Sequence, residues 1–60
     1  MYPLTHITAR DALLHGQRVQ AEDGTLYEVD GYRLVRTDPN GHQHAAAMLP
    51  KPGQRYRVTT

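Results

Sequence analysis

The sequence predicts an α+β fold, a short N-terminal helix packed on a curved, barrel-like antiparallel sheet of four or five strands. Three observations point there. Gln17–Thr37 reads as short apolar-polar strands separated by two Asp-Gly turns, Asp23-Gly24 and Asp30-Gly31. A capped helical pattern precedes it and stops at Gly16. Near the end, Gln54–Thr59 alternates again, with Tyr56 and Val58 on one side and Arg55, Arg57 and Thr59 on the other.

In the lead-in, Pro3 discourages an early helix. Thr8 fits a helix N-cap, with Asp11 at the third position where Glu or Gln is usual; Thr5 is an alternative cap about one turn earlier. Ile7, Ala12 and Leu13 then form an apolar stripe with Leu4 as a staple, and Gly16 supplies the left-handed residue that ends the helix. A helix this short is not stable alone, so the stripe should lie on the sheet.

Asp30-Gly31 suits a two-residue type I′ loop, which sets Val29 opposite Tyr32, Glu28 opposite Arg33 and Tyr27 opposite Leu34. The first turn admits two registers. A two-residue loop puts Val19 opposite Glu28 and makes both faces half apolar, whereas a three-residue loop, Glu22-Asp23-Gly24 with Gly24 left-handed, puts Val19 opposite Tyr27. The second gathers Val19, Ala21, Tyr27, Val29, Tyr32 and Leu34 on one face and leaves Gln20, Leu26, Glu28, Arg33 and Val35 outside. Because a one-residue slip exchanges the faces of a strand, this segregation favours the three-residue loop.

Asp38-Pro39-Asn40-Gly41 is a turn by residue type, with Asp first, Pro second and Gly last. His42–Leu49 reads two ways: its alternating histidines suit an edge strand, and its three alanines suit a helical turn. Pro50-Lys51-Pro52-Gly53 interrupts regular structure ahead of the last strand.

Sixty residues make one domain, residues 1–60, near the lower limit for folding without a staple. With no Cys there is neither a disulfide framework nor a thiolate metal site, and with no Phe or Trp the core is thin. A core this thin favours burying the remaining apolar surface in a homodimer. No apolar run approaches the roughly 20 residues that span a bilayer, and Met1-Tyr2-Pro3 lacks the order of a signal peptide, so a cytoplasmic location is expected. Net charge is +1, but all six acids lie between Asp11 and Asp38, which leaves the C-terminal third locally basic.

For catalysis the residue types are unpromising. The chain has no Ser and no Cys to act as nucleophile, and Asp23, Asp30 and Asp38 all stand where turns want Asp, so a non-enzymatic protein without a cofactor is expected. His42 and His44 share one side of a strand, with His6 and His15 elsewhere; zinc wants three or four ligands, so no metal site is expected.

Two binding surfaces are legible. One is protein-binding: Leu26 and Val35, with Glu28 and Arg33 around them, resemble a small apolar centre with a polar rim, although the same aliphatics would equally serve as core beneath Ala45–Leu49. The other is for nucleic acid: Arg33, Arg36, Lys51, Arg55 and Arg57 make a basic surface if the third and fifth strands are close, with Tyr27, Tyr32 and Tyr56 either stacking platforms or core. Small five-stranded barrels bind single strands this way.

The run Ala12-Leu13-Leu14-His15-Gly16-Gln17-Arg18-Val19, followed by an acidic-Gly turn and a Tyr-containing strand, resembles the opening of small accessory proteins encoded by bacteriophages. The resemblance covers about the first half of the chain and implies a module that binds a host protein and inhibits or redirects it, working in the host cytoplasm. It assigns no functional residue. The function expected from the sequence is therefore protein binding, with nucleic-acid binding as the alternative.

Overall fold

The computed structural model describes residues 1–46 and 50–59. Helix α1 (His6–Leu14) is followed by β1 (Val19–Ala21), β2 (Leu26–Asp30), β3 (Arg33–Thr37), β4 (Gln43–Ala45) and β5 (Tyr56–Val58). The strands form one five-stranded antiparallel sheet in the order β4-β3-β2-β1-β5, with α1 packed on β5, β1 and β2. This is the α+β architecture expected, with the helix on one face of the sheet.

The helix starts one turn before the Thr8 cap. Thr5 is the N-cap, its hydroxyl accepting from the Thr8 backbone N–H at 3.2 Å while the Thr8 hydroxyl accepts from the Thr5 N–H at 2.9 Å. Thr8 therefore occupies the position at which Glu or Gln usually completes this reciprocal pair. The far end closes as expected: Gly16 (φ +83°) donates to the Leu13 carbonyl and Gln17 to that of Ala12, the two bonds of a Schellman motif. Moving the start changes the buried stripe. Ala9, Ala12 and Leu13 face the sheet, and Ile7, assigned to the stripe from sequence, is 67% exposed.

The core joins Ala9, Ala12 and Leu13 to Val19, Ala21, Tyr27 and Tyr56, with Leu4 and Leu34 packed at its margin. Tyr27 and Tyr56 meet edge to face, ring centroids 6.1 Å apart, and stand in for the absent Phe and Trp. Burial raises the Tyr27 phenol pKa, helped by Tyr56 and Asp23 and opposed by Arg36. The Tyr56 hydroxyl donates to the Lys51 carbonyl at 2.8 Å, tying the Pro-rich approach to β5 into the interior.

The first hairpin has the three-residue loop: Val19 pairs with Tyr27, and Gly24 takes φ +93°. The second turn is one residue later than Asp30-Gly31. Asp30 pairs with Arg33 and Val29 with Leu34, so the loop is Gly31-Tyr32, with Gly31 at φ +68°. A type I′ loop centred on Asp30-Gly31 needs positive φ at Asp30, whereas Gly-X in a type II′ loop asks it of the glycine alone. The shift leaves the two faces of the hairpin unchanged, because it moves the pairing by an even step. It does expel Tyr32, expected on the apolar face, to the hairpin tip at 96% exposure.

The Asp38 turn forms as expected, with Gly41 donating to the Asp38 carbonyl and the Asp38 carboxylate accepting from the N–H groups of Asn40 and His42. Of the stretch His42–Leu49, Gln43–Ala45 is strand; Ala47–Leu49, on which the helical alternative and the cover for Leu26 and Val35 depended, lie outside the described residues. At the other side of the sheet Leu4 bridges Tyr56 through two backbone bonds of 2.8 and 2.9 Å, covering the β5 edge.

Candidate interaction surface

Cross-strand partners share a face of the sheet, so the pairing fixes the face that α1 does not cover. One row across it runs Gln43, Thr37, Leu26, Gln20, Arg57. A second runs Ala45, Val35, Glu28, and a third sets Arg33 against Asp30. Leu26 and Val35 are thus diagonal neighbours on β2 and β3, Leu26 37% exposed and Val35 half-buried. Glu28 lies directly opposite Val35 and is paired with Arg18 at 3.3 Å, an exposed contact worth little in stability. All four residues assigned to a protein-binding patch, Leu26, Glu28, Arg33 and Val35, therefore share this face. No described helix or strand packs on it, although Tyr2 lies over its Arg57 end.

The basic set is not gathered. β3 and β5 are separated by β2 and β1, so the proximity that the nucleic-acid surface requires is absent. Alternation also puts Arg36, opposite Tyr27, on the helix side of the sheet and Arg33 on the other. Arg57 donates through Nε and Nη2 to the Gln20 side-chain oxygen at 3.0 and 2.9 Å and lies over the Tyr2 ring, 4.7 Å from its centroid. Arg55 donates its backbone N–H to the Glu22 carboxylate and its guanidinium to the Pro3 carbonyl, both at 2.6 Å. These two arginines clamp the N-terminal segment to β5 and β1. Lys51 is exposed in the preceding loop.

Of the three tyrosines offered as stacking platforms, Tyr27 and Tyr56 are core and only Tyr32 is at the surface. Its exposure had a local signal, since glycine at the first loop position suits a type II′ turn and places the next residue at the hairpin tip. The Tyr2–Arg57 contact had none, because its partners lie at opposite ends of the chain.

The Asp38 carboxylate is the other polar centre. His44 Nε2 lies 3.4 Å and His42 Nδ1 3.9 Å from Oδ2, and the carboxyl is held below its ordinary value by the His42 backbone N–H first, then by the His44 side chain and the Asn40 N–H, against some desolvation. Among the described residues no group of three or more His, Asp or Glu side chains is arranged to hold a metal ion. None of the described helices is long and apolar enough to cross a membrane.

Comparison with family models, with curated proteins and with solved structures finds no match to this chain.

Proposed function

We propose that this chain is a non-enzymatic protein-binding module whose contact surface is the sheet face opposite α1, centred on Leu26 and Val35 with Glu28 and Arg33 at the margin. The observation that carries the reading is the diagonal adjacency of two aliphatics on a face against which no described helix or strand packs, inside a border of Gln20, Thr37, Glu28 and Arg33. An apolar centre within a polar rim is the usual anatomy of a small, reversible interface. The resemblance of the first half to phage accessory proteins gives the partner class, a host protein that is inhibited or redirected.

Nucleic acid is the weaker reading. Arg55 and Arg57 already have partners within the chain, and a net charge of +1 gives little long-range attraction to phosphate. Exposed Tyr32 beside Arg33 is what favours it.

The test is capture from nuclease-treated and untreated bacterial lysate on the tagged full chain, comparing wild type with Leu26→Asp, Val35→Asp and the pair Arg33→Glu/Arg36→Glu. A discrete protein retained by wild type after nuclease and at moderate salt, and lost with Leu26→Asp, is the expected result. Recovery of nucleic acid alone, lost on adding salt and abolished by the arginine pair, overturns the protein-binding reading.

A further inference from the structure

The outward face of α1 carries two of the large apolar side chains that the fold leaves in solvent, Ile7 and the 70% exposed Leu14. At about 100° per residue they lie only about 20° apart around the helix, opposite the buried Ala9, Ala12 and Leu13. A shallow depression of about 290 Å³ runs along the same surface, lined by Ile7, Thr8, Arg10, Asp11 and Leu14. Arg10 and Asp11 flank the Ile7–Leu14 line on opposite sides, each about 50° away from it. Among the described residues neither takes part in an ion pair.

We propose that this face is an interface between two copies of the chain, whose α1 helices pair in parallel about a twofold axis running along them. The charges choose both the occupant and the direction. Rotation by half a turn about such an axis carries the Arg10 flank of one copy onto the Asp11 flank of the other. Sequence neighbours differ by only about 1.5 Å in height, so Arg10 meets the partner's Asp11 and Asp11 meets the partner's Arg10 together. Ile7 then packs on the partner's Ile7 and Leu14 on the partner's Leu14. An antiparallel pair would instead set arginine against arginine and aspartate against aspartate. A helix of nine residues is about 14 Å long, so the contact falls below the usual size of a stable interface and the dimer is weak and reversible. The pairing leaves the opposite sheet face free and does not depend on what that face binds.

The experiment is sedimentation equilibrium of the full chain from micromolar to millimolar concentration, on wild type, Ile7→Asp, Arg10→Glu, Asp11→Lys and the double variant Arg10→Glu/Asp11→Lys. All the changed side chains are exposed, and circular dichroism checks that each variant remains folded. Wild type should associate reversibly to a dimer, and Ile7→Asp should abolish it. Each single charge reversal should weaken association by about tenfold or more, since it turns two attractive contacts into repulsive ones. The double variant should recover wild-type affinity, because reversing both flanks together restores opposite charges across the axis. A monomer at millimolar concentration overturns the proposal, as does a dimer indifferent to Ile7→Asp. A double variant no better than the singles overturns the parallel pairing.

Discussion

The two halves of the sheet are built differently. β5, β1 and β2 lie under α1 and supply every buried strand side chain, from Val19 and Ala21 to Tyr27 and Tyr56. β3 and β4 have no helix above them among the described residues, and none of their side chains is fully buried. Both halves have regular antiparallel pairing, so hydrogen bonding does not distinguish them. Removal of apolar surface from water does, and this locates the stability of the molecule in the covered half and its available surface in the other.

The sharpest way to break that contrast is to truncate one leucine on each side. Leu13, 1% exposed beneath the helix, should cost about 2–5 kcal/mol as Leu13→Ala. For a domain of this size that is most or all of the total, so the variant should be largely unfolded by circular dichroism at 25 °C. Leu34→Ala, at the margin of the core on β3, should cost only about 1 kcal/mol and leave a cooperative urea transition. Equal losses would show that the open half carries as much of the fold as the covered one.

A smaller effect tests how the covered half is fastened. Tyr56→Phe keeps the ring and its contact with Tyr27 but removes the bond to the Lys51 carbonyl, for about 1 kcal/mol. Amide exchange should accelerate around Lys51–Arg55 more than in β2. Thr5→Ala removes the cap that positions α1, again costing about 1 kcal/mol or somewhat less, and should fray His6–Ala9 before any strand. Thr8→Ala removes the other half of the same reciprocal pair and should fray the same turn; a Thr5→Ala variant with an intact first turn would refute the Thr5 cap.

Much of this division was legible in the sequence, and the misreadings share a cause. The faces of β1 and β2 followed from period-two alternation, which is a strict geometric consequence of an extended chain. The position of the second turn and the start of the helix did not follow, because each offered two chemically adequate choices one to three residues apart. Asp30-Gly31 and Gly31-Tyr32 both satisfy a hairpin, and Thr5 and Thr8 both cap. Reciprocity made the selection at the helix start: with Thr5 as cap, Thr8 returns the bond to the Thr5 N–H, and Ala9, Ala12 and Leu13 of that helix join Tyr27 and Tyr56 in one buried cluster. The patch around Leu26 was legible because it rests on alternation alone. The basic surface was not, because it depended on strand order, and a chain of short antiparallel strands does not state where its last strand will pair.

The smallest expected effect belongs to the open half and is reached by pH. The Asp38 carboxyl ionises more readily in the folded protein than its ordinary value of 3.8, chiefly because the His42 N–H donates to it. A folded-state value below the unfolded one means that ionisation favours the folded turn above that range, and that the contribution is lost as pH falls through the lower, folded-state value. The carboxyl is partly exposed and its bonds stay within one surface turn, so the turn rather than the global fold should respond. On acidification below about pH 4 the Asn40 and His42 amide resonances should shift together, with β3–β4 protection falling while the protection of Val19 and Tyr27 is unchanged. In Asp38→Asn the amide oxygen keeps an acceptor but has no proton to gain, so those shifts should vanish. A coincident loss of protection in Val19 and Tyr27 would mean that the two halves unfold as one unit, and that the uneven burial does not divide the cooperativity of the domain.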